Sequence, residues 1–202
     1  IMTGIYLVEY GRGPLARGVT FLVDVMTGIP SIVAGLFAFA LFAFVVGPQY
    51  RSGFMGAVAL TVLMIPTVVR ATEEMLKLVP NELREASYAL GVQKWRTITK
   101  VVIPTALAGI VTGVVLAVAR VIGETAPLLL TAGFTSTVNW NPFEGRMTAL
   151  PVFSYYQYVT PGFPPEPGFE RSWTAALVLV IIVLGLNLFA RWVAVRFSPK
   201  KS

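Results

Sequence analysis

Arg120 and Glu124 are the residues whose types and spacing most clearly invite chemistry. They sit in the apolar run Val114-Val115-Leu116-Ala117-Val118-Ala119-Arg120-Val121-Ile122-Gly123-Glu124. A charge at membrane depth costs about 2.5–3.5 kcal/mol or more on insertion scales, so it needs a partner or a water-filled path. A four-residue spacing puts both groups on one face of a continuous helix, where they can pair. Two readings stay open. One is a structural ion pair that locks helices together. The other is a gate: an arginine grips a tetrahedral oxyanion through two parallel hydrogen bonds. Glu124 would then hold Arg120 when the site is empty and repel an anion that lingers. Gly109, Gly113 and Ala117 lie on roughly the same face. Such a stripe of small residues lets another helix approach closely, which directs the pair toward a bundle interior. Thr125-Ala126-Pro127 then breaks the helix and exposes backbone groups nearby.

Other chemistry is hard to find. The chain has no Cys and no His. That removes thiol catalysis, imidazole bases and the commonest zinc ligands, so no metal site is expected. No G-x-x-x-x-G-K-[ST] run is present to cradle ATP phosphates. The sequence therefore reads as a non-enzyme that binds no cofactor of its own. Arg70 is a lesser candidate for an anion path. With Glu73 and Glu74 one turn on, its plainer role is a structural cluster on the cytoplasmic side.

The elements that must position these residues are membrane spans. Of 202 residues, 55% are hydrophobic and 13% charged, against about a quarter charged in soluble domains. The length suits one all-α domain over residues 1–202. Four segments are long and apolar enough to cross a bilayer: Val19–Val46, Phe54–Met75, Ile103–Ala132 and Trp173–Val195. Three of them carry a helix break, at Pro30, Pro66 and Pro127, which is commoner in transporters than in simple anchors. Ile1–Val8 is apolar but too short to span, which suggests that earlier helices are missing.

The net charge of +6 is written at span ends. Arg12 and Arg17, then Lys77, Arg84, Lys94, Arg96 and Lys100, then Arg191, Arg196, Lys200 and Lys201 fall in alternate loops and the tail. Those loops, and the C-terminus, are placed in the cytoplasm. The basic residues are not interleaved with aromatics on one polar face, which discounts nucleic acid as a partner. The opposite loop 133–172 is rich in aromatic, Pro and Asn residues. It reads as an ordered external cap, with Trp140, Tyr155, Tyr156 and Tyr158 serving either as an aromatic belt in lipid or as a binding surface.

The cytoplasmic loop 77–104 has too regular a pattern for a mere connector. Pro80 precedes Asn81-Glu82-Leu83-Arg84-Glu85-Ala86-Ser87-Tyr88-Ala89-Leu90, with Glu82 and Glu85 in the first turns, where the helix dipole favours acid. Leu83, Ala86, Ser87 and Leu90 share one face. Gly91 supplies a left-handed stop. A second short helix is expected from Gln93 to about Lys100, before the chain returns to the membrane at Pro104. A short helix with a small-residue face suits docking into a groove on another protein.

The run Glu85-Ala86-Ser87, three residues, Gly91, nine residues, Val101-Val102-Ile103-Pro104 resembles the EAA loop of bacterial ABC importer permeases. It departs from that pattern at Ser87, Val101 and Ile103. Arg120-Val121-Ile122-Gly123-Glu124-Thr125-Ala126-Pro127 resembles a segment of phosphate importer permeases of the PstA type. So do Gly4-Ile5-Tyr6-Leu7-Val8-Glu9-Tyr10-Gly11, Gly28-Ile29-Pro30-Ser31-Ile32-Val33-Ala34-Gly35 and Arg70-Ala71-Thr72-Glu73-Glu74.

The resemblance implies the fold of a type I ABC importer permease, a polytopic helix bundle with a cytoplasmic coupling helix, in the bacterial cytoplasmic membrane. It implies separate ATPase subunits that hold ATP and Mg, docked through Glu85, Ala86, Ser87, Leu90 and Gly91. It also implies a second homologous permease and an extracytoplasmic phosphate-binding protein. Arg120 and Glu124 are the residues it implicates in phosphate passage. Six helices are expected in such a permease; this chain shows four and the end of a fifth, so an N-terminal hairpin is expected to be missing. Two other functions remain: a permease for molybdate or sulfate, and a membrane scaffold or regulatory subunit that only recruits an ATPase. From Pro104 to Arg120 is about 24 Å along one helix at 1.5 Å per residue, so a push on the loop should move the gate.

Overall fold

The computed structural model describes residues 1–197, and all regular structure among them is helical. Lys200 and Lys201 of the basic tail lie outside the described residues. The chain opens with α1 (Met2–Ile5), which continues as a π-helical turn over Tyr6–Tyr10. Then come α2 (Pro14–Thr27), α3 (Ser31–Val45) and α4 (Gly53–Lys77). The loop helices are α5 (Asn81–Ala89) and α6 (Lys94–Thr97). They are followed by α7 (Ile103–Ile122), α8 (Ala126–Thr131), α9 (Leu150–Val159) and α10 (Glu166–Phe197).

Three helices are long and apolar enough to cross a membrane: Gly53–Lys77, Lys94–Ile122 and Glu166–Arg196. The expected first span is not one helix. Gly28-Ile29-Pro30 divides it into α2 and α3, which make a fourth span only if the bent pair is taken together. Pro30 sits at the N-cap of α3, where its lack of an N–H is harmless. Pro66 stays inside α4 and is fully buried. The third span ends earlier than expected, at Ile122. Pro127 lies in the first turn of α8 and therefore starts a helix, which suits its fixed φ.

The second loop helix also differs from expectation. Lys94–Thr97 does not stop near Lys100 but runs through a π-helical turn at Ile98–Val102 straight into α7. The wide turn lies just before Pro104, whose ring crowds the preceding carbonyls and whose nitrogen cannot donate.

The described residues fall into two compact units. The first comprises Ile1–Thr27, Ile65–Val118 and the chain from Leu186. Its core is Leu76, Val79, Val102, Ala106 and Ile110, with Ile5, Val8 and Met75 packed against it. The small-residue stripe on α7 works here as expected. A methyl group added at Gly113 would come within 2.7 Å of the Ala71 Cβ, so α4 and α7 approach too closely for any larger residue.

The second unit comprises Gly28–Met64 and Ala119–Gly185. Its core is Leu128, Ala132 and Val152, ringed by Leu60, Leu129, Phe134 and Tyr156. A methyl at Gly35 would stand 2.6 Å from the Pro127 Cα, which explains a glycine on α3 facing α8. Loop 133–172 is ordered. It contains α9, Thr135 and Thr148 bond one another through backbone and side chain, and Ser154 donates to the Ser172 carbonyl at 3.0 Å. Tyr156 stacks on Phe134 with ring centroids 4.6 Å apart, so it belongs to this core and not to an aromatic belt. Trp140 and Tyr158 are exposed.

Candidate functional site

Four of the glycine- and charge-bearing segments picked out in the sequence meet in pairs. Gly4 of α1 packs on Thr72 of α4, where a methyl would lie 2.8 Å from the threonine Cβ. Glu9, in the π-helical turn, accepts hydrogen bonds from Arg84 Nε at 3.3 Å and Nη2 at 3.0 Å. Both side chains are largely buried. Arg84 also donates to the carbonyls of Leu76 at 3.0 Å and Val79 at 2.6 Å. It thus adds a charged donor to carbonyls at and just beyond the end of α4, and fastens α5 to that end. Lys94 completes the clamp from the other side, donating to the Glu9 carbonyl and lying 4.6 Å from the centre of the Tyr10 ring. In the sequence Arg84 and Lys94 read only as topological charges, and the one local hint of their partner is a lone Glu9 beside the basic Arg12 and Arg17.

The loop segment from α5 onward has the geometry its pattern predicts at Gly91 and a different one at its apolar face. Gly91 has φ +73°. Its N–H donates to the Tyr88 carbonyl at 2.9 Å, and the Val92 N–H to the Ser87 carbonyl at 3.2 Å. This is the paired hydrogen-bond pattern of a Schellman stop. Of the predicted face, only Ser87 is buried; its hydroxyl meets that of Thr97 at 2.8 Å. Glu85, Ala86, Leu83 and Leu90 are exposed, Leu90 by 82%. Trp95 is exposed too. Ser87 thus turns inward as the hinge pin between α5 and α6, and the rest of α5 is left uncovered. Pro104, by contrast, sits in the first turn of α7.

Arg70 lies in α4 within the same unit. Its Nη1 bonds Glu73 Oε2 at 2.8 Å, and its Nη2 pairs with Asp24 of α2. Glu73 is also 3.6 Å from Lys77 Nζ. The expected cluster is present, but its membership is corrected. Asp24 joins it in place of Glu74, which is exposed and points off the shared face. Glu73 is buried, and its Oε1 has no hydrogen-bond partner.

Arg120 and Glu124 belong to the second unit. The expected pairing is not formed: among the described residues neither side chain takes part in an ion pair or hydrogen bond. The reason is local. The i, i+4 rule needs a continuing helix, and α7 ends at Ile122. Gly123 and Glu124 N–H groups donate to the carbonyls of Arg120 and Val121 at 3.2 and 3.1 Å, tightening the last turn and carrying Glu124 out of register. Nor does Arg120 point into this chain's own interior. It is exposed at the last turn of α7, beside the break at Gly123–Thr125. What the geometry provides is an unneutralised guanidinium at the end of an apolar helix.

Comparison with known proteins adds three findings. The family of binding-protein-dependent transport system inner membrane components matches residues 1–202. The phosphate transport system permease protein PstA of Mycobacterium leprae is 53% identical over 93% of this chain. PstA 1 of Mycobacterium tuberculosis strain H37Rv is 52% identical over 97%, and PstA of Pasteurella multocida 44% over 100%. The chain spans 60% of the length of the first of these and 63% of the second. In structure, a chain of the inward-facing MetNI methionine ABC transporter superposes with a TM-score of 0.77 at 23% identity, covering 98% of this chain and 85% of that one. At that identity the likeness speaks for the fold, that of an ABC importer permease.

Proposed function

Because the chain belongs to the family of binding-protein-dependent transport system inner membrane components, we infer that it is the permease part of an ATP-driven importer of inorganic phosphate. The observation that carries the substrate is the 53% identity to a phosphate transport system permease. The charged groups suit that cargo. Arg120 stands unpaired in an otherwise apolar helix and Arg70 half-buried at the charged end of α4, and a guanidinium matches phosphate oxygens with parallel hydrogen bonds. Arg120 would take the anion from one side of the helix break, with Glu124 nearby to oppose its retention. The family is one of inner membrane components, which supports a bacterial cytoplasmic membrane, and the distribution of basic residues supports a C-terminus inside.

Energy would come from partner ATPase subunits that hold ATP and Mg. They would dock on the uncovered surface of α5, at Glu85, Ala86 and Leu90, with Gly91 setting the direction of the chain that follows. Within the first unit Arg84 ties α5 to the end of α4, the helix that carries Arg70 and Glu73. Movement of α5 would therefore be felt by α4 as well as through the continuous helix Lys94–Ile122. A second homologous permease would cover Arg120, and an extracytoplasmic phosphate-binding protein would deliver the anion.

The reading is tested by labelled phosphate accumulation in a strain deleted for the full-length permease, with and without its return. Uptake should depend on the permease and should survive a large excess of sulfate or molybdate. Undiminished accumulation in the deletion strain would remove phosphate as the cargo, and suppression by molybdate or sulfate would reassign it.

A further inference from the structure

We propose that Asp24 is an exchangeable counter-ion of Arg70: its carboxylate occupies the guanidinium edge that a passing oxyanion takes, yields it, and then reclaims it to drive the anion off. This rests on the reading of Arg70 as part of the phosphate path. The two carboxylates on Arg70 are unlike. Glu73 comes from the next turn of the same helix, is only 5% exposed, and is shared with Lys77. Its Oε1 is buried without a partner, while its Oε2 is held by both Arg70 and Lys77. It is the fixed ligand. Asp24 reaches Arg70 from α2, is 56% exposed, and can leave into water at little cost.

The surroundings fit exchange. Asp24 lines a cavity of about 510 Å³ together with Arg17 and Thr20, which share its face of α2. Arg17 brings positive charge to this open space, and Asp24 on its lining carries the contact to Arg70. Replacing that carboxylate by a phosphate monoanion keeps both the charge balance and the hydrogen bond to Nη2. An exposed pair of this kind competes only weakly, so its removal should tighten anion binding by about two- to fivefold.

The test is equilibrium binding of labelled inorganic phosphate to the full-length permease complex in detergent, alongside uptake by cells. Asp24→Asn should tighten binding by that factor and slow uptake per complex, because the group that displaces the anion is gone. Asp24→Glu should restore both. Binding per complex does not depend on how much protein reaches the membrane, so poor insertion cannot imitate the effect; Asp24→Ser, read in the same way, serves if Asp24→Asn does not accumulate. Unchanged or weaker binding in these neutral variants overturns the exchange. Arg70→Lys keeps a cation for Glu73 but loses the two-pronged grip. If it leaves phosphate binding unchanged, Arg70 is not on the path and the underlying reading fails. If it weakens binding while Asp24→Asn has no effect, only the exchange fails.

Discussion

Arg120 carries a charge that no side chain of the described structure neutralises, which separates its possible roles by measurement. A structural ion pair, once broken, leaves a buried charge behind and destabilises the protein. An unpaired arginine does not. Arg120→Gln is therefore expected to insert and resist heat like the parent protein, yet to lose about ten- to a hundredfold in phosphate uptake, the equivalent of one charge-assisted hydrogen bond to the anion. Uptake and thermal unfolding of the solubilised complex check the two halves. Normal uptake would favour a scaffold that only recruits an ATPase. The identity of this residue was legible in the sequence, because a lone Arg among Val, Ala and Ile is conspicuous. Its lack of pairing was not, because that depends on where α7 stops. Asp24 too is a lone charge among Leu, Val and Met in the first expected span, a signal left unread, but only α4 lying alongside gives it a partner.

At the scale of elements, the segment from α5 to α7 shows what spacing can and cannot specify. Gly91 is held at φ +73° by two hydrogen bonds of the helix stop, and a side chain there would meet open space. The constraint is thus purely one of backbone conformation, which costs about 1–2 kcal/mol for an L-residue and more for a β-branched one. Gly91→Val should insert normally but lose most of its ATPase on purification, whereas Gly91→Asn, a residue that tolerates the left-handed region, should keep it. A full ATPase complement with Gly91→Val would contradict this account. The stop was legible because glycine after an amphipathic run is a local signal. The continuous helix from Lys94 to Ile122 was not, because a proline near its start reads as a boundary, and the π-helical turn that accommodates it leaves no mark in composition.

For the whole molecule, the basic flanks of the apolar spans predict an orientation that labelling can check. No cysteine occurs among the 202 residues. In a full-length protein free of other cysteines, Leu90→Cys should resist a membrane-impermeant maleimide until the cells are opened, while Trp140→Cys should react in intact cells; both positions are more than four-fifths exposed. Reaction at Leu90→Cys in sealed cells would invert the topology. The sequence by itself determined the all-helical membrane class, the helix stop at Gly91 and the conspicuous charge at Arg120. Each rests on a signal read within a few turns of chain: hydropathy, periodicity, a glycine or a stray charge. The tertiary structure alone decided the partners. Glu9 meets Arg84, Asp24 meets Arg70, and Gly35 admits Pro127. Those pairs lie 75, 46 and 92 residues apart, and no local periodicity encodes which distant side chain fills a given gap; that follows only from packing helices until their buried charges and backbones are satisfied.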